Sequence, residues 1–154
     1  MLAIELSIEE QSFLQSALEE LLRDEGLDKA SVAFVKDLQD QLKQPTVPAD
    51  SVGKLESFLD LGLSTGRFRI KHGKEGEMIA FEILKKTPLG QQAQEMLAAT
   101  NKALKELRGE VINEIVCSSL GYGMHQIKFE TSKYSLTVEV DKFAVRVVNV
   151  EVQF

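Results

Sequence analysis

The sequence predicts an α+β protein, with helices in its N-terminal part and antiparallel strands in its C-terminal part. Three observations lead to this prediction. Apolar residues recur at helical spacing over the first sixty or so residues, basic and apolar residues alternate at 67–71, and residues 125–154 hold short alternating segments separated by turn residues. We expect N-terminal helices, a central β-hairpin, a long helix and a C-terminal three-stranded antiparallel meander.

The N-terminal helices are predicted from capping residues and the spacing of apolar side chains. Ser7 followed by Glu10 is a capping box, so a first helix is expected over residues 8–24. Asp28 is a favourable N-cap for a second helix. The segment 44–48 contains two prolines and is expected to be extended, because each proline disfavours the α conformation in the residue before it.

The central hairpin is predicted from two segments of period-two alternation. Residues 67–71 and 79–83 alternate, and the loop between them, residues 72–77, contains two glycines. The predicted hairpin either extends the C-terminal sheet or stands apart from it. Its basic side chains are the predicted binding residues for a protein partner or nucleic acid: Arg67, Arg69, Lys71, Lys74, Lys85 and Lys86.

A long helix is expected after the hairpin. Thr87 is a favourable N-cap, and Pro88 suits the first helical position because its missing N–H costs nothing there. Apolar residues then keep helical spacing over residues 89–115, with a kink or a break allowed at Gly109.

The C-terminal meander is predicted from three alternating segments, residues 125–129, 134–140 and 143–147. The turns between them are expected at residues 131–133 and 141–142. Beyond residue 147 the apolar phase shifts by one residue, which predicts a β-bulge near residues 147–149 or a strand buried on both faces.

Composition limits the class of protein. Apolar residues make up 44% and charged residues 27% of the 154-residue chain, as in ordinary globular proteins. We expect one domain, or two lobes comprising residues 1–108 and 109–154. The single cysteine, Cys117, cannot form an internal disulfide, and neither a signal peptide nor a long apolar span is present in the sequence. A cytoplasmic location without membrane insertion is therefore expected.

Charge is unevenly distributed along the chain. The net charge is −6, yet residues 67–108 carry 9 basic and 5 acidic side chains, whereas residues 1–66 carry 5 and 13. An acidic chain has no general affinity for nucleic acid, so any such contact would use the basic middle segment. That segment could equally pair with the acidic helices of the same chain or of a second subunit.

Residues that commonly carry chemistry are few and scattered. His72 and His125 have no partner at metal-ligand spacing, and Cys117 has no second cysteine. We therefore predict no metal site, no cofactor and no catalytic residues. An enzyme built around Cys117 and His125 stays as a third hypothesis, because the fold could bring the two together.

Residues 8–108 contain three predicted helices, the phrase Leu55-Glu-Ser-Phe-Leu-Asp-Leu-Gly-Leu63 in the third, the basic hairpin, and Thr87-Pro-Leu-Gly90 opening a further helix. In this order of elements the chain resembles the winged-helix transcription regulators of the PadR and MarR kind. The resemblance implies a recognition helix at residues 51–61, a wing tip at residues 72–77 and a dimerisation helix after Thr87. It also implies DNA binding.

Two functions follow as hypotheses. The favoured one is a small, non-catalytic cytosolic binding or regulatory module that acts through protein–protein contacts and forms a homodimer through the long helix or the final strand. The alternative is a winged-helix nucleic-acid-binding regulator that uses the basic hairpin.

Overall fold

The computed structural model describes residues 3–24, 26–141 and 144–152, and it confirms the α+β class. The chain divides into two compact units, Met1–Gly90 and Gln91–Phe154. The α-helices are α1 (Ile8–Leu22), α2 (Lys29–Gln41), α3 (Val52–Ser64), α4 (Arg67–Lys86) and α5 (Pro88–Leu104). The strands are β1 (Ile4–Glu5), β2 (Thr46–Val47), β3 (Ile112–Gly121), β4 (Met124–Thr131), β5 (Tyr134–Val140) and β6 (Val145–Val152).

The predicted starts of α1 and α2 are confirmed. At α1 the backbone N–H of Glu10 donates to Ser7 Oγ over 3.2 Å, and the Ser7 N–H donates to Glu10 Oε2 over 2.7 Å. At α2 the carboxylate of Asp28 accepts a hydrogen bond from the Ser31 N–H at 2.7 Å. The extended proline segment contains β2, which pairs antiparallel with β1.

One apolar core holds the N-terminal unit together. It consists of 18 buried apolar residues between Ile4 and Leu84. Phe68 lies at its centre, with its ring edge-to-face against Phe13 at 5.3 Å and against Phe58 at 5.5 Å between centroids. These contacts join α1, α3 and α4.

The predicted central hairpin is wrong, because residues 67–86 form α4. The buried residues from position 76 onward are Gly76, Ala80, Ile83 and Leu84, and they follow helical spacing rather than alternation. Residues 79, 81 and 83 alternate as apolar residues in the sequence, but they do not share one buried face, because Phe81 is exposed to solvent. Gly73 interrupts the helix with φ 70° and ψ −171°, so α4 is two helical segments joined at a kink.

The predicted long helix is wrong in its second half. α5 starts as predicted, with Thr87 Oγ1 accepting the Gly90 N–H at 3.2 Å, but it ends at Leu104. A short 3₁₀ helix follows, and Gly109 (φ 86°) turns the chain before β3. β3 contains β-branched residues and poor helix formers (Asn, Ser, Cys), which favours a strand once a partner strand is present.

The C-terminal sheet has four strands rather than the three predicted, in the order β3-β4-β5-β6, all antiparallel. The predicted turn at residues 131–133 is confirmed. The predicted bulge is confirmed as well: Thr137 pairs with Asn149 and Val138 with Val147, so Val148 is the extra residue. The predicted turn at residues 141–142 includes residue 142, and the third predicted strand begins at residue 143. Both of these residues lie outside the described residues.

The sheet has one apolar face and one polar face. Its register places residues in rows across the four strands, with each row on a single face. The apolar rows are Ile115-Phe129-Leu136-Val150 and Cys117-Ile127-Val138-Val147. The polar face includes the rows Val116-Lys128-Thr137-Asn149 and Glu114-Glu130-Ser135-Glu151. Only Leu136 and Val138 are buried apolar side chains among the described residues of this unit.

Candidate protein-interaction site

The six basic residues predicted as binding residues all lie on α4, but acidic side chains of the same chain accompany most of them. The pairs are Arg67–Asp24 (3.2 Å), Arg69–Glu77 (3.4 Å), Lys71–Glu20 (3.4 Å), Lys85–Glu82 (2.5 Å) and Lys86–Glu10 (2.6 Å). Within the described part of the chain, Lys74 has no ion pair. The structure therefore places this charge mainly against the protein's own acids.

A pocket of about 390 Å³ lies where α1, α3 and the first turns of α4 meet. Its wall includes the apolar side chains Leu21, Phe58 and Phe68. Its polar rim is balanced in charge, because Glu20 lies 3.1 Å from His72 Nε2 and 3.4 Å from Lys71 Nζ. The pocket therefore presents no unbalanced charge that would select an ionic ligand.

Asp24 shows the same internal pairing at the rim. The pKa of its carboxylate is lowered by a hydrogen bond from the Gly26 backbone N–H and, next, by one from Arg67. The partners of this carboxylate explain why Arg67 is not an open cationic site.

The structure brings Cys117 and His125 onto neighbouring strands without making them direct partners. Cys117 pairs with Ile127, and His125 pairs with Ser119. The two side chains are thus diagonal on one face, a relation in which Cβ atoms lie about 7 Å apart. Across residues 3–24, 26–141 and 144–152, no group of three or more His, Cys, Asp and Glu side chains is arranged to hold a metal ion.

The feature that sequence reasoning missed is strand β3. It is an edge strand of ten residues, and every one of them is exposed. Its exposed apolar side chains are Ile112, Ile115, Val116 and Leu120. An edge strand presents unpaired backbone N–H and C=O groups along its free side, so β3 combines open hydrogen-bonding groups with open apolar surface. The run of β-branched residues within the supposed helix was the signal that could have revealed it.

β3 lacks the features that usually protect an edge. It contains one charged residue, Glu114, and no Lys, Arg or Pro. Register shifts with β4 occur only towards its two ends, between Ile112 and Glu114 and between Ser119 and Gly121. Residues 114–119 therefore form a regular strand of a typical length for pairing.

The opposite edge, β6, is better protected. The Val148 bulge interrupts it in mid-strand, and it carries Arg146 and Glu151. Arg146 is held in place by Glu139 on β5, with 2.9 Å between Nη2 and Oε2. Of the two edges, β3 is the one suited to receive another strand.

No helix within the described residues combines the length and the apolar character needed to cross a membrane. Comparisons of the chain with protein-family models, with curated proteins and with solved structures returned no match.

Proposed function

We propose that this protein is a small non-catalytic binding or regulatory module that acts through protein–protein contacts, with β3 as the contact strand. The observation that carries the proposal is the ten-residue edge strand, in which every residue is exposed, with its apolar side chains. Strand addition to such an edge is a common way for proteins to bind one another. Main-chain hydrogen bonds supply affinity, and the alternating side chains supply specificity.

The apolar face of the sheet adds to this support. Ile115 and Cys117 continue the apolar rows that contain the buried Leu136 and Val138. A partner strand beside β3 would extend these rows and remove apolar surface from water, a favourable contribution of roughly 25 cal/mol per Å² before the entropic costs of association are subtracted. We include a cytoplasmic location in the proposal, since the exposed free thiol of Cys117 suits a reducing compartment.

In-cell photo-crosslinking tests the proposal. A photo-reactive residue replaces Ile115, which is 54% exposed, and the control carries it at Val148 on the other edge, which is 44% exposed. We expect a defined crosslinked protein band from position 115 only, and we expect a Val116→Lys change in the same chain to abolish it. Equal, diffuse labelling from both positions would contradict a contact at β3.

The nucleic-acid alternative has less support. The predicted wing tip, residues 72–77, is part of α4, and five of the six basic residues pair with acids. A DNA titration at two salt concentrations separates the hypotheses, because phosphate contacts make affinity fall steeply with salt. Micromolar, strongly salt-dependent binding would favour the alternative, and absence of binding at low salt would remove it.

The third hypothesis, an enzyme built on Cys117 and His125, also has less support. A thiol activated by a neighbouring imidazole needs direct hydrogen-bond contact, whereas these residues belong to different cross-strand pairs. Its test is the alkylation rate of Cys117 near neutral pH. A rate that falls at least tenfold in a His125→Ala variant would favour it, and an unchanged rate would remove it.

A further inference from the structure

We infer that the partner of β3 is a second copy of this chain, paired antiparallel about a two-fold axis at Val116. The inference rests on the proposed function and deepens it, because it names the occupant of the same edge. The evidence is the pattern of apolar and charged side chains along β3. When two copies of β3 are aligned antiparallel, this pattern is self-complementary in one register.

Symmetry restricts the pairing. In a two-fold antiparallel pair, the axis lies midway between one residue and the same residue of the second copy. A residue a given number of positions before this central residue is then opposite the residue the same number of positions after it in the other copy. Opposed residues then lie on the same face of the joined sheet. Only the residue at the axis has to be chosen, and residues 114–119 are the regular part of β3 that offers candidates.

A two-fold axis at Val116 places apolar side chains opposite apolar ones and polar side chains opposite polar ones. Val116 meets Val116 of the second copy, and Ile115 meets Cys117. Glu114 meets Ser118, a neutral hydroxyl that can donate to the carboxylate. Every apolar residue of this segment therefore faces an apolar one, and its single charge faces a hydrogen-bond donor.

The neighbouring registers are poorer. An axis at Glu114 sets two carboxylates against each other, and like charges directly opposite destabilise a strand pair. An axis at Cys117 sets Val116 against Ser118 and Ile115 against Ser119. An axis at Ile115 sets Val116 against Glu114. An axis at Ser118 sets Cys117 against Ser119, and an axis at Ser119 sets Ser118 against Leu120. The Glu114 register opposes two carboxylates and the other four oppose apolar and polar side chains, whereas the Val116 register does neither.

The proposed pairing leaves no β3 edge free for a third copy. Each β3 edge is hydrogen-bonded to the other, so the joined eight-stranded sheet ends in two β6 edges, each with the Val148 bulge. A two-fold contact of this kind produces a dimer rather than an open polymer. The apolar rows containing Ile115 and Cys117 then run without interruption from one copy into the other.

Mass measurement on the full chain is the first test. Light scattering after gel filtration should give twice the chain mass of 17.2 kDa. Val116→Lys places two ammonium groups opposite each other and should raise the dimer dissociation constant by roughly 30-fold or more, the loss typical of a central interface side chain. Val148→Lys is the matched control, since Val148 and Val116 are 44% and 42% exposed, and it should leave the dimer intact.

Cysteine crosslinking tests the register independently of any destabilised variant. In a Cys117→Ser background, Val116→Cys brings two thiols directly opposite each other, at a Cα separation that suits a disulfide. We expect mild oxidation to give a covalent dimer with this variant and none with Val148→Cys in the same background. The unaltered chain should crosslink poorly, because each Cys117 faces Ile115 rather than its own copy.

The outcomes separate this inference from the proposed function. A dimer that survives Val116→Lys, or a chain that crosslinks through Cys117 but not through Val116→Cys, would overturn the inference. A monomeric wild type that photo-crosslinks to another protein from position 115 would also overturn it, while the proposed function would stand. A monomeric chain without a crosslink from that position would overturn both.

Discussion

At the scale of single residues, Glu10 links the start of α1 to the end of α4. Its carboxylate accepts the Ser7 N–H at the start of α1 and lies 2.6 Å from Lys86 Nζ at the end of α4. Burial alone would raise the pKa of Glu10, but the hydrogen bonds and charge of Lys86 and the Ser7 N–H outweigh it, so the pKa lies below its ordinary value of 4.5.

Replacing Glu10 by Gln should therefore lower the free energy of unfolding near neutral pH by about 1 kcal/mol, since the bond from the Ser7 N–H becomes neutral and the ion pair with Lys86 is lost. A carboxylate with a lowered folded-state pKa contributes fully above its unfolded value and loses its contribution as the pH falls through the folded-state value. The difference between variant and wild type should thus vanish in acid.

Urea unfolding at several pH values measures the effect. Glu9→Gln is the control, because Glu9 lies exposed in the same helical turn and should change stability by less than half as much. A Glu10→Gln difference that is constant with pH would contradict the role of the ionised carboxylate.

Gly62 and Gly53 make a matched pair within α3. A Cβ on Gly62 would lie 2.2 Å from the ring of Phe68, which is buried and cannot move aside, whereas a Cβ on Gly53 meets nothing within 4 Å. Gly62→Ala should therefore lower the free energy of unfolding by about 1 to 3 kcal/mol through overpacking. Gly53→Ala should raise it by up to about 1 kcal/mol, because alanine favours the helix. Thermal unfolding of both variants checks the prediction, and equal effects would contradict it.

At the scale of elements, the kink in α4 depends on Gly73. Its backbone, φ 70° and ψ −171°, lies in a region that only glycine occupies readily. Gly73→Ala should cost about 1 to 3 kcal/mol of unfolding free energy, although a Cβ there would meet no atom within 4 Å. Lys74→Ala is the neighbouring control and should change stability by less than about 0.5 kcal/mol. A stabilised Gly73→Ala protein would show that α4 can run straight.

Two elements were predicted wrongly for one reason: a short apolar run fits more than one period. Residues 79, 81 and 83 satisfy alternation, yet packing selects Ala80, Ile83 and Leu84 for the core. Val111 and Ile115 satisfy a helical period, yet β4 offers a strand partner and residues 112–121 pair with it. In both cases a tertiary partner decided between local alternatives.

At the scale of the whole molecule, the buried apolar residues are unevenly shared between the two units. Among the described residues, the N-terminal unit contributes a cluster of 18 and the C-terminal unit contributes Leu136 and Val138. The first unit has a core of its own, and the second exposes much of its apolar surface. Such exposure is typical of a unit that is stabilised by a partner.

Residues 1–90 should consequently fold on their own. We expect the isolated segment to show a helical circular dichroism spectrum and a cooperative thermal transition, because its core contacts lie within it. Leu18→Ala in the same segment serves as the control and should reduce stability by about 2 to 5 kcal/mol, the usual cost of truncating a buried leucine. A broad, non-cooperative transition in the unaltered segment would contradict the prediction.

The sequence by itself determined the fold class, the helix starts at Ser7, Asp28 and Thr87, and the phase shift near residues 147–149, for which a bulge is one of two interpretations. Helix caps and shifts in the alternation of apolar residues along a strand are local features, so a few neighbouring residues specify them. Only the tertiary structure decided that residues 67–86 are helical, that their cations meet the chain's own acids, and that β3 lies at an open edge. Burial, edge position and the ion pairs of Arg67, Lys71 and Lys86 depend on residues distant in the chain, and no local pattern contains them.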